Sequence, residues 1–195
     1  MLSRWLRRWS PRILGPLAAA LARLGISPNQ ATLAGLAAAW ISGVLIVMDR
    51  PMLAGAAILA SGFLDALDGE IARASGRETA LGAFVDSIAD HYGDVAIYLG
   101  LAWAGIADGE PFLVFFVLLA MFGSIAGSHI RSRAGMLGIE TKDVGLFTRA
   151  ERILVLAFGL LTGYLVPALV VLAAGNNLTA LHRLAHVISR ASRQS

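Results

Sequence analysis

Asp65 and Asp68 lie three residues apart, and Asp86 and Asp90 lie four apart, in a stretch whose flanks are apolar enough to sit within a membrane. Ionisable side chains at that depth are costly and mark function. At helical spacing each pair shares one face of its own helix. Two such helices set face to face gather four carboxylates, and like charges that close need a cation. Carboxylate oxygens suit hard divalent ions such as Mg2+ or Mn2+. Gly69 and Gly82 remove side chains where something large must approach the helix backbone. The chain has no Cys, and His91, His129, His182 and His186 form no ligand-like group with the aspartates. A His- or thiolate-bound metal is therefore not expected. Asp94 continues the Asp86/Asp90 face by one more i,i+4 step, in a place to orient a ligand or pair with an Arg.

The elements that carry these residues belong to an all-α, polytopic membrane protein. Across 195 residues the chain is 57% hydrophobic with a mean hydropathy of +0.70, too apolar for a soluble domain and long enough for one membrane domain. Residues 1–26 read as a juxtamembrane segment. Arg4, Arg7, Arg8 and Arg12 cover one helical face, and Leu2, Trp5, Leu6, Trp9 and Ile13 the other, as in an interfacial amphipathic helix. A signal peptide is the rival reading, and Arg23 and two prolines weigh against it. Residues 27–195 hold six expected spans, over about 29–48, 52–74, 80–106, 111–133, 149–163 and 164–188. Ser27-Pro28 opens the first as a cap with Pro at the first helical position, and Gly163 divides the last two. On this layout fifteen of the sixteen basic residues share one side and only Arg50 lies opposite, which places both termini and the aspartates in the cytoplasm. The basic pI of about 9.9 then reflects anionic lipid heads and phosphorylated substrates, and not nucleic acid.

The eight residues Asp65, Asp68, Gly69, Ala72, Arg73, Gly82, Asp86 and Asp90 form the pattern D-x2-D-G-x2-A-R-x8-G-x3-D-x3-D. It resembles the signature of the CDP-alcohol phosphotransferase (CDP-alcohol phosphatidyltransferase) family of membrane phospholipid synthases, with every position present. The resemblance implies attack of an alcohol hydroxyl on the phosphoryl group of a CDP-linked lipid such as CDP-diacylglycerol, with release of CMP. It implies Asp65, Asp68 and Asp86 as metal ligands and Asp90 as both ligand and general base. Two Mg2+ or Mn2+ ions about 4 Å apart would serve as Lewis acid and clamp. Gly69, Ala72 and Gly82 would let the CDP moiety lie against the helices, and Arg73 would pair with phosphate. Asn29 and Thr32, at the opening of the first span, would border the nucleotide. Homodimerisation is likewise implied by the resemblance.

A second basic group comprises Arg131 and Arg133 at the end of the fourth span, Arg149 and Arg152 opening the fifth, and Arg183 on the sixth, all expected near the aspartates. Together they could hold a phosphate on the acceptor through bidentate contacts. The segments Ser128-His129-Ile130-Arg131-Ser132-Arg133, Arg149-Ala150-Glu151-Arg152 and His182-Arg183 resemble the branch of the family that uses inositol phosphate. That branch comprises the bacterial phosphatidylinositol-phosphate synthases and the archaeal inositol-phosphate enzymes. His129, Ala150 and His91 depart from its usual pattern. Glycerol 3-phosphate, the acceptor in phosphatidylglycerophosphate synthesis, is the close alternative. An ion channel or transporter is the alternative of another class, since intramembrane aspartates also mark ion paths; a cation path would not need Gly69, Ala72 and Arg73 at fixed distance.

Overall fold

The structure is a computed structural model and describes residues 10–141 and 144–192. The amphipathic helix expected at the N-terminus falls largely on residues 1–9, which lie outside the described residues, as do Lys142 and Arg193. The described residues contain helices and no strand. A short helix α1 (Gly15–Arg23) precedes six others: α2 (Pro28–Val47), α3 (Pro51–Ser75), α4 (Ala80–Ala107), α5 (Pro111–Met136), α6 (Arg149–Thr162) and α7 (Leu165–Ala191).

Local chemistry sets these boundaries. Ser27 accepts from the Gln30 amide while the Gln30 side chain accepts from the Ser27 amide, a capping box ahead of Pro28. Thr79 caps α4 by accepting from the Gly82 amide at 3.0 Å. The Thr148 amide donates to Glu151 at 2.9 Å, starting α6 with its acidic residue in the first turn. Gly76 and Gly163 end α3 and α6 in the left-handed region, at φ 63° and 80°, which glycine adopts without steric cost. The near-continuous apolar run around Gly163 is broken there. The fourth expected span, over about 111–133, runs on to Met136 in α5, which carries Arg131 and Arg133 as helical residues.

Helices α2 to α7 close into a ring in the order α2, α4, α5, α7, α6, α3 and back to α2. The core draws on every one of them, with Ile46, Ile58, Leu101, Val117, Leu156 and Leu172 among its members. A second cluster, Ala18, Ala31, Leu67 and Ile71, seats α1 against α3 beside the aspartates. Outward faces carry Ile41, Phe63, Trp103, Phe115 and Phe122 largely exposed. Such a belt is out of place in water and matches lipid. Four helices, α2, α3, α5 and α7, are long and apolar enough to cross a membrane, and this is a membrane protein. Helix α4 is long enough but carries Asp86, Asp90, His91 and Asp94, and α6 has only 14 residues.

Where α2 crosses α4 the backbones touch. A Cβ on Gly43 would lie 2.6 Å from the Ala96 carbonyl oxygen, and one on Gly100 only 2.5 Å from that of Gly43. Small residues permit this approach, which van der Waals packing and not a hydrophobic drive must hold in lipid. The crossing fixes how α4 presents its aspartates to α2 and α3. Gly100→Ala is expected to destabilise the protein by about 1–3 kcal/mol, the usual cost of overpacking. A lowered unfolding midpoint in detergent would show it; an unchanged midpoint would mean that the crossing is slack.

Candidate active site and metal centre

Asp65 and Asp68 lie in the second half of α3, and Asp86 and Asp90 in the first half of α4. One carboxylate oxygen from each of Asp65, Asp68 and Asp86 falls within 4.8 Å of the others. Asp90 joins them in the lining of a small cavity, together with Thr32, Gly35, Ser61 and Arg149. The four aspartates expected to act together therefore share one site.

Their surroundings hold some oxygens and leave others available. The Thr32 hydroxyl donates to Asp68 Oδ2 at 2.7 Å, a contact between α2 and α3, and lies 3.1 Å from the Pro28 carbonyl. Asp68 is thereby oriented, since a carboxylate oxygen bonded on one side presents its remaining lone pairs in a fixed direction. Asp86 Oδ1 is buried and has no hydrogen-bond partner among the described residues. An orphaned buried carboxylate oxygen on a residue clustered with two other carboxylates is a costly arrangement unless a cation completes it. Three carboxylates, one preset by Thr32 and one unsatisfied, fit a hard divalent ion.

Arg149, at the start of α6, bridges this cluster from the third side. Its Nη1 lies 2.7 Å from Asp65 Oδ1 and also pairs with Asp90 Oδ1, while its Nε is 3.6 Å from Asp94 Oδ1. Arg152, one turn later, pairs with Asp94 Oδ2 at 2.7 Å, and Ser124 on α5 lies 3.4 Å from the same oxygen. Asp94 thus anchors both arginines beside Asp90.

The other basic residues are placed differently. Arg183 is buried; its Nε donates to the Val144 carbonyl at 3.0 Å and its Nη1 to that of Gly127 at 2.9 Å. It stitches α7 to α5 and to the loop before α6. Arg131 and Arg133 are exposed near the end of α5. Arg131 lines a groove of about 770 Å³ between α4 and α5 with Ser87, His91, Ser128 and His129, and Arg133 Nη1 lies 3.8 Å from Met136 Sδ. His91 Nδ1 is 2.6 Å from the Ser87 carbonyl oxygen, a helix-internal bond.

Of the residues expected to border the nucleotide, Gly69, Ala72 and Gly82 are partly buried and Asn29 is exposed in the first turn of α2. Arg73 pairs with Glu70 at 2.9 Å. Ser61, which lines the cavity, is not legible as a site residue, because its spacing does not separate it from ordinary helix polarity.

Residues 25–188 match the model of the CDP-alcohol phosphatidyltransferase family, and the chain belongs to that family of transferases. Among proteins of similar sequence, the archaetidylinositol phosphate synthase of Methanothermobacter thermautotrophicus is 36% identical over 192 residues, spanning 92% of this chain and 90% of that protein. The phosphatidylinositol phosphate synthase of Mycobacteroides abscessus is 34% identical over 150 residues, 76% of this chain and 68% of that one. Among solved structures, the Mycobacterium tuberculosis phosphatidylinositol phosphate synthase with CDP-DAG bound superimposes with a TM-score of 0.80 at 28% identity, covering 90% of this chain and 94% of that chain. The same enzyme in complex with manganese and citrate gives the same TM-score.

Proposed function

We propose that the protein transfers the phosphatidyl group of a CDP-linked lipid, CDP-diacylglycerol, to the hydroxyl of inositol phosphate and releases CMP. The observation that carries this reading is the junction of the three-carboxylate cluster with Asp90, Arg149 and Arg152 on α4 and α6. Relatives named for this chemistry, and a neighbour holding CDP-DAG, support the substrate class.

Asp65, Asp68 and Asp86 would hold Mg2+ or Mn2+, with Asp90 completing a two-ion site. Bound there, the ions would supply charge neutralisation to the pyrophosphate and Lewis acidity at the bond to CMP. Gly69, Ala72 and Gly82 would leave room for the CDP moiety, Asn29 would border it, and Arg73 would pair with its phosphate. Asp90 would accept the proton of the attacking hydroxyl. Arg149 and Arg152 would face the acceptor phosphate, held in place by Asp94. Arg131, Arg133 and Arg183 would complete the positive side of the acceptor pocket. All six helices α2–α7 would span the membrane, with both termini and the aspartates on the cytoplasmic side, where CDP-linked substrates are found.

The test is an assay of CMP release by purified protein with CDP-diacylglycerol and a panel of acceptors. Inositol phosphate is expected to react far better than glycerol 3-phosphate, free inositol or serine. Losing one charged hydrogen-bond partner costs about 1.5–3 kcal/mol. Arg152→Ala is therefore expected to cut kcat/KM for the acceptor roughly 10- to 150-fold, with little change in donor KM. Equal rates with free inositol and with the Arg152→Ala variant would remove the phosphorylated acceptor from this reading.

A further inference from the structure

Glu70 lies inside the aspartate motif at a position that the pattern leaves open, and it is buried. Its carboxylate accepts from Ser10 Oγ at 2.6 Å and from Arg73 Nε at 3.3 Å, and Arg73 Nη2 stands 2.9 Å from the same oxygen that Ser10 meets. The Arg73 side chain is 52% exposed and that of Glu70 only 5%. A ligand arriving from solvent can thus reach the guanidinium without touching the carboxylate that holds it. A Cβ built on Gly69 would lie 3.5 Å from Arg73 Nη2 and 3.7 Å from Nη1. The guanidinium is drawn back along the helix and lies over the glycine.

An arginine so exposed would otherwise spread over many rotamers, and ordering it on binding would cost affinity. A buried carboxylate one turn away removes that freedom beforehand. Ser10 adds a link across 60 residues, from the chain that leads into α1 to this same turn of α3. The packing of Ala18 with Leu67 and Ile71 runs alongside it. The segment before α1 and the turn that carries Arg73 are therefore held as one unit.

We propose that Glu70 is a positioning residue: it holds the Arg73 guanidinium over Gly69 to receive the donor's phosphate, and through Ser10 it ties that grip to the juxtamembrane segment. This rests on the reading of Arg73 as a donor-phosphate contact. The competing role is a plain i,i+3 ion pair that stabilises the end of α3.

Steady-state kinetics of the full chain with CDP-diacylglycerol and inositol phosphate separate the two. Glu70→Gln keeps the side-chain shape and an acceptor for Ser10 but removes the charge. Donor KM is expected to rise roughly tenfold, within the range for one charged hydrogen bond, with kcat and acceptor KM little changed. Ser10→Ala is expected to move donor KM in the same direction by less. In an Arg73→Ala background, where there is no guanidinium to hold, Glu70→Gln is expected to add nothing to donor KM. If Arg73→Ala raises donor KM and Glu70→Gln does not, Glu70 has no positioning role and the proposal fails alone. A lowered unfolding midpoint in Glu70→Gln with donor KM unchanged would likewise overturn it and leave the plain ion pair. If Arg73→Ala leaves donor KM unchanged, the reading of Arg73 and this proposal fall together.

Discussion

Excess chelator is expected to abolish transfer, and Mg2+ or Mn2+ added back is expected to restore it. Asp65, Asp68 and Asp86 bring carboxylate oxygens within 4.8 Å of one another, where two unit charges about 4 Å apart repel by about 4 kcal/mol at an effective dielectric constant of about 20. Arg149 offsets part of this at Asp65 and at Asp90. Asp86 Oδ1 is buried and without a hydrogen-bond partner among the described residues. Asp86→Asn is expected to abolish turnover and to raise the Mn2+ concentration needed for binding, read from the paramagnetic resonance of free Mn2+. Thr32→Val tests the same site from outside the carboxylates. Losing a partner that orients a metal ligand typically costs about 10–100-fold in metal affinity or activity, and Thr32 is the side chain that orients Asp68. Full activity in excess chelator, with no Mn2+ bound, would leave the cluster without its assigned purpose.

Thr32 also shows where reading by spacing stops. The motif is legible because helical periodicity fixes which residues of one helix share a face. Asp65 with Asp68, and Asp86 with Asp90, needed nothing more. Helix starts were legible from Ser27-Pro28, and the division at Gly163 follows from glycine's freedom at positive φ. Which faces meet is set by the close crossing of Gly43 against Ala96 and Gly100, and that depends on how helices about 50 residues apart in sequence dock. Thr32 reads from sequence as a residue bordering the nucleotide; that its hydroxyl also bonds Asp68, 36 positions away, depends on how α2 docks on α3.

The arginines show the same limit. Arg131, Arg133, Arg149, Arg152 and Arg183 look alike in sequence, as helical cations expected near the aspartates. The fold gives them unlike surroundings, from carboxylates for Arg149 and Arg152 to backbone carbonyls for Arg183. Charge and position along a helix cannot distinguish these. Only the neighbour contributed by another element does.

Asp90→Asn is expected to lower kcat by roughly 10²–10⁴-fold, the usual contribution of a positioned general base, with donor KM little changed. The substitution keeps the side-chain shape, and an amide oxygen can still accept from Arg149. What it removes is the ability to take a proton from the acceptor hydroxyl. Asp90 is suited to that task by its surroundings: it lines the cavity of the other aspartates while Arg149 holds one of its oxygens, so the carboxylate is oriented and one oxygen remains for other contacts. A role limited to metal ligation predicts something else. The variant would then bind Mn2+ more weakly, and raising Mn2+ would return kcat toward that of the wild type. The general-base role predicts a kcat deficit that persists at saturating Mn2+, donor and acceptor. Measured across a Mn2+ titration, recovery of wild-type turnover would leave Asp90 as a ligand alone and assign the proton to another group.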